Sequence, residues 1–210
     1  MAGFEERDRR EDLLIAAQQV FGRYGYHDAT VRAITETAGC AAGTFYLYFA
    51  SKEDCFLALV ERLYERIMAA VVEARRGAAH ASDKLYRSLW AVVDTLAADP
   101  ELARVVMVRA AGAGSWLEER LWRLHDTFAE FIAQDLEESG LDPVEARTGA
   151  RAWFGALNEL VGVWARRPPE AGATPTLEEE VGRIQRLFWR GWGLPWPETP
   201  VHSPRPAGSA

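Results

Sequence analysis

Residues 30–49, TVRAITETAGCAAGTFYLYF, hold the densest run of side chains suited to a polyanionic partner. Thr44, Tyr46 and Tyr48 carry hydroxyls that can donate to phosphate oxygens. Lys52 adds an ammonium just beyond them. Thr30 and Arg32 stand at the other end of the run. An arginine can grip the major-groove edge of guanine with two hydrogen bonds. Ala42 and Gly43 are small enough to let a backbone approach base edges closely. Two of these residues have competing roles. Arg32 lies one turn from Glu36 and can form an ion pair with it, and Lys52 can be an ordinary solvated lysine.

Other chemistry is poorly supplied. The four histidines (His27, His80, His125, His202) are scattered without ligand spacing, and the two cysteines, Cys40 and Cys55, are too few for a zinc site. No nucleophile stands beside a base and an acid, and no glycine-rich phosphate loop is present. Neither an enzyme nor a metal or cofactor site is expected. The cysteines leave one alternative, a thiol-responsive or ligand-independent regulator using Cys40 or Cys55, with burial as small hydrophobes the competing role.

The elements that position these groups all read as helices. Proline is absent from residues 1–99, and apolar residues recur at helical spacing nearly throughout. A first helix carries Leu13, Leu14, Ala17, Val20 and Phe21 and ends near Gly22 and Gly25. A second begins after Thr30 with Val31, Ile34 and Ala38 inward. Gly39-Cys40 turns the chain into a third helix over about 41–49, where Phe45 and Phe49 face back to the first. That arrangement leaves Ala41, Ala42, Gly43, Thr44, Tyr46, Leu47 and Tyr48 outward. Ser51 then caps a long helix with Glu53 and Asp54 in its first turn. Further helices are predicted over about 80–98, 100–111, 115–138, 144–167 and 176–192. The last 17 residues contain five prolines and predict a flexible tail.

The spacing of Leu13-Leu14, Ala16-Ala17, Val20-Phe21, Gly25-Tyr26, Thr30-Val31, Ile34, Ala38-Gly39, Gly43-Thr44-Phe45-Tyr46, Tyr48-Phe49 and Lys52 resembles the signature of the TetR family of transcriptional regulators. The match covers about residues 9–60 without insertions. Ala41 departs from it, standing where the family commonly has a serine or threonine cap. The resemblance implies an all-α protein: a three-helix helix-turn-helix DNA-binding domain over 9–52, then a helical effector-binding and dimerisation domain over 53–193. Residues 1–8 and 194–210 would be flexible ends. It further implies an Ω-shaped homodimeric repressor on a palindromic operator of double-stranded DNA, released by a small-molecule effector. Carried over residue by residue, the DNA contacts are Thr30, Arg32, Thr44, Tyr46, Tyr48 and Lys52, with Ala42, Gly43 and Leu47 nearest the bases.

Behind residue 77 the signals broaden. All eight tryptophans lie there. Trp90, Met107, Trp116, Trp122, Phe128, Phe131, Trp153 and Phe154 are candidate lining for an apolar or aromatic effector, although aromatics at helical spacing also build ordinary cores. The helix near 144–167 is apolar around much of its circumference. With the last helix it suggests a dimer interface at Ala152, Gly155, Leu157, Gly162, Ile184, Phe188 and Trp192. The net charge of −7 does not oppose DNA, because residues 1–52 carry only −1 of it. The N-terminus shows no leader pattern, and no segment approaches the ~20 apolar residues of a membrane span, so a cytoplasmic protein is expected.

Overall fold

A computed structural model describes residues 2–109, 114–167 and 176–195, and these contain helices and no strand. The helices are α1 (Ala2–Asp28), α2 (Val31–Thr37), α3 (Ala42–Tyr48), α4 (Lys52–Ala74), α5 (Ala81–Ala98), α6 (Pro100–Arg104), α7 (Ser115–Glu138), α8 (Pro143–Arg166) and α9 (Leu177–Trp192). The all-α expectation holds, and most helix ends follow local chemistry. Thr30 accepts from the Ala33 amide at 3.1 Å and starts α2. Asp99 and Asp142 cap α6 and α8 directly before Pro100 and Pro143, whose missing amide protons cost nothing there. Thr176 and Glu179 form a reciprocal capping box on α9.

Two ends differ from expectation. Helix α1 begins at Ala2 rather than after residue 8, because the run GluGluArgAspArgArgGluAsp from Glu5 to Asp12 contains neither glycine nor proline. The helix predicted over 100–111 instead becomes a short α-helix followed by a π-helical turn, Val105–Arg109. The proline-rich tail lies, from residue 196 onward, outside the described residues.

The contacts divide the chain into two units, residues up to 66 with 99–119, and residues 67–98 with those from 120 on. The first unit is therefore larger than the 9–52 span expected for it. The reason is the leading half of α4, where Cys55, Phe56, Leu59, Val60 and Leu63 are wholly buried. Phe56 meets Phe21 of α1 edge-on at 4.9 Å. Burying a side chain of that size contributes about 1.5–3 kcal/mol. Helix α6 and the π-helical turn pack on α1 as well: Gln18 donates to Asp99 at 3.1 Å, and Arg66 pairs with the same carboxylate at 2.9 Å.

The second unit has its own core. Leu85, Leu89, Val93 and Leu96 of α5, Leu136 of α7, Ala146, Ala150, Trp153 and Val161 of α8, and Val181 and Trp189 of α9 are buried in it. Helices α8 and α9 approach closely at Gly149, where a Cβ would stand 2.8 Å from the Trp192 indole nitrogen. Gly149 is thus a close-approach glycine, and an alanine there would displace the Trp192 ring.

Candidate nucleic-acid interface

Helix α3 is held from behind by two rings. Phe45 and Phe49 are buried, 5.5 Å apart, and the Arg10 guanidinium of α1 lies 5.2 Å over Phe49. Gly39, at φ 65°, permits the sharp turn from α2 that a side chain would strain. Ala41 precedes α3 in extended backbone and supplies no side-chain cap; its backbone carbonyl accepts from the Thr44 amide at 2.9 Å.

What remains outward is the predicted set. Leu47 is 79% exposed and Tyr46 is 59% exposed; Ala42 and Gly43 are exposed beside them. Thr44 and Tyr48 are half-buried, so their hydroxyls can face a partner while their bodies pack. Thr30 has its oxygen committed to the cap of α2, which leaves its hydroxyl proton available for donation. Arg32 pairs with Glu36 at 2.7 Å, and that hydrogen bond raises its already high pKa. Both partners are exposed, so the pair is screened and a phosphate or base edge can compete for the guanidinium.

Lys52 is engaged within its own chain. Its ammonium donates to three backbone carbonyls, those of Tyr26 at 2.8 Å, His27 at 3.2 Å and Ala29 at 3.0 Å. It also lies 4.7 Å over the Tyr26 ring. An ammonium has three donors, and all three are engaged here. The α1 end, broken at Gly25 (φ 78°), exposes these carbonyls, and Lys52 gathers them. These bonds tie Lys52 to the α1–α2 corner.

Beside it, Tyr26 donates to Glu53 at 2.7 Å. Burial and that carboxylate push the Tyr26 pKa well up, and the same hydrogen bond holds Glu53 below the usual carboxylate range. Sequence reasoning missed the Tyr26–Glu53–Lys52 cluster, and it missed Arg10. The adjacency of Gly25 and Tyr26 was its one visible trace. The cysteines do not favour redox control: Cys55 is buried with its thiol pushed up to about 12 by desolvation, which suppresses the reactive thiolate. Cys40 is half-buried in the turn after α2.

The predicted effector residues separate. Trp90, Phe128, Phe131, Trp153 and Phe154 belong to the second unit. Phe128 stacks on Phe154 at 6.0 Å, with His125 5.1 Å from the latter; burial lowers the His125 pKa. Phe131 is covered by the Arg75 guanidinium at 4.2 Å. Three others lie apart from these. Met107 and Trp116 fall in the first unit, where Trp116 sits 6.2 Å from the Tyr26 ring. Trp122 is 73% exposed. An α-helix turns 100° per residue, which puts Trp122 within about 20° of Ala129 and Ala133, on the same side of α7 but nearer its start.

The predicted interface set also divides. Ala152 and Gly155 are exposed on α8, and Ile184, Phe188 and Trp192 are half-buried on α9. Leu157 and Gly162 face the core instead, and Leu157 is buried with Trp153 and Val161. Val144 on α8 and Leu187 on α9 are large apolar residues left exposed.

No described helix is long and apolar enough to cross a membrane. Residues 13–59 match the model of the bacterial regulatory proteins of the tetR family. The HTH-type transcriptional regulator UidR of Escherichia coli is 30% identical over 136 residues, 64% of this chain and 68% of that protein. The fatty acid metabolism regulator protein of Bacillus subtilis is 27% identical over 165 residues, 76% of this chain and 85% of that one. Among solved structures, the fatty acid degradation regulator FadR of Bacillus halodurans superposes with TM-score 0.75 at 26% identity, covering 87% of this chain and 95% of that one. FadR of Bacillus subtilis, solved in complex with stearoyl-CoA, gives TM-score 0.71 at 25% identity over 85% and 96%. The buried face of α2 and α3, their outward residues and these relatives agree: the chain belongs to the tetR family and is a helix-turn-helix transcriptional regulator.

Proposed function

We propose that this protein is a homodimeric repressor that holds a near-palindromic operator through α3 and releases it on binding a long-chain acyl compound. The observation that carries the DNA-binding part is the outward face of α3: Ala42, Gly43, Tyr46 and Leu47 stand free over the buried pair Phe45 and Phe49. Paired α3 helices about 34–36 Å apart would enter successive major grooves. The fatty-acid regulators among the relatives, one of them with stearoyl-CoA bound, support the effector class. An effector of this kind acts by binding the DNA-competent and DNA-incompetent states with different affinity.

A gel shift on DNA from upstream of the protein's own coding region, across a salt series, tests the reading. Affinity should fall steeply with salt, and stearoyl-CoA should dissociate the complex where coenzyme A does not. Tyr46→Ala should weaken binding to all sequences. Its salt slope should be retained, because a neutral hydroxyl on a phosphate releases no counterion. A discrete shift insensitive to every acyl compound would remove the effector from the reading and keep the regulator.

The dimer makes a separate prediction. Gly155 has open space around it, so Gly155→Arg should leave the subunit folded and shift it to monomer in analytical ultracentrifugation. Leu157→Asp should unfold the subunit, because its carboxylate would enter the core. A dimeric Gly155→Arg variant would move the interface off this face of α8.

A further inference from the structure

Gln185 is a side chain in the core of the second unit whose amide finds no partner among the described residues. It lies on the buried stripe of α9 with Val181, Gly182 and Trp189, and it is 0% exposed. Neither its amide oxygen nor its amide nitrogen has a hydrogen-bond partner among the described residues. Trp153, buried on the neighbouring helix α8, likewise leaves its indole N–H without an acceptor. The same side of α9 looks toward α5, since a Cβ on Gly182 would stand 3.8 Å from the Trp90 ring. One acceptor and two kinds of donor are therefore enclosed by apolar and aromatic groups. Buried polar groups are ordinarily paired, and a leucine or methionine at position 185 would fill the same space without an unmet demand.

We propose that Gln185, with Trp153, is the polar anchor of an effector site and takes a neutral amide group carried on an apolar chain. The amide N–H donates to Gln185 Oε1, and the carbonyl on the opposite side of the trans amide accepts from Trp153 Nε1. The group is neutral because neither side chain carries a charge that would balance a buried carboxylate or ammonium. An aromatic, closed surrounding with a few convergent polar atoms is the usual form of a small-molecule site. The assignment rests on the reading that the second unit takes up an acyl compound. In an acyl-CoA the matching chemistry is the pair of amides in the pantetheine arm.

The test separates the anchor from that reading by using probes without coenzyme A. N-methyldodecanamide and methyl dodecanoate share a chain and a carbonyl and differ in one N–H. Titrated calorimetrically, the wild-type protein should bind the amide roughly tenfold more tightly than the ester, the worth of one buried hydrogen bond. Gln185→Met should bind both alike and, without ligand, melt no lower than wild type. Gln185→Leu repeats the measurement with a different shape should the methionine variant not fold. Equal wild-type affinities, no binding of either probe, a preference retained in the variants, or a lower melting temperature of the folded variant would each overturn the assignment. Release of DNA by stearoyl-CoA is scored separately, so the effector reading and the anchor can fail independently.

Discussion

Arg75→Met should lower the unfolding free energy by about 3–5 kcal/mol in urea denaturation. Arg75 follows the last residue of α4, and its guanidinium grips the Asp135 carboxylate of α7 through both oxygens, at 2.5 and 2.7 Å. The carboxylate side chain is 3% exposed and the guanidinium 16%. Ser88 accepts a further bond at 3.1 Å, and Phe131 lies flat beneath the cation. The attraction between the partners is largely offset by their desolvation, so the pair as a whole contributes little. Removing the cation alone is different, because it strands a buried carboxylate. The double variant Arg75→Met, Asp135→Leu should therefore recover most of the loss. A single variant within about 1 kcal/mol of wild type would mean that water reaches Asp135 and solvates it.

Lys52→Met should cost about 2 kcal/mol and weaken DNA binding at every sequence tested. Three carbonyls at the end of α1 lose their charge-assisted donor at once. Water can replace part of it, because Lys52 is only half-buried, which keeps the cost below the sum of three such bonds. Those carbonyls lead directly into Thr30, the cap of α2, so a loosened corner misplaces α2 and, behind it, α3. The two roles of Lys52 predict different outcomes. A phosphate contact would leave the melting temperature unchanged and reduce the salt slope by about one. A positioning residue lowers the melting temperature and the affinity together, with the slope retained. Gel shifts at several salt concentrations, paired with a thermal melt, decide between them.

The helix-turn-helix was legible because every step in it is local. Thr30, Gly39, Phe45 and Phe49 act over four or fewer residues, through a cap, a left-handed turn and a ring pair one helical turn apart. The same holds for Asp99-Pro100 and Asp142-Pro143, whose helix starts need no distant partner. The effector residues were less legible. Trp116, Trp122 and Trp153 share a type and a helical spacing, yet one packs in the first unit, one faces solvent and one is core. Periodicity reports that a helix has an apolar side; it does not report which neighbour that side meets.

The amino-acid sequence by itself determined the all-helical class, most helix boundaries and the outward set on α3, since capping, turn chemistry and 3.6-residue spacing are properties of short stretches. Only the tertiary structure decided the roles of Lys52, Arg75, Asp135 and Gln185. Lys52 meets carbonyls 23 to 26 residues away, and Arg75 meets a carboxylate 60 residues away. Gln185 stands out because helices distant in sequence close over it. Burial and partnership are set by which helix faces which, and an ionic or amide group changes its meaning with both. A lysine or a glutamine in a sequence is an unassigned donor or acceptor until the fold supplies, or withholds, its partner.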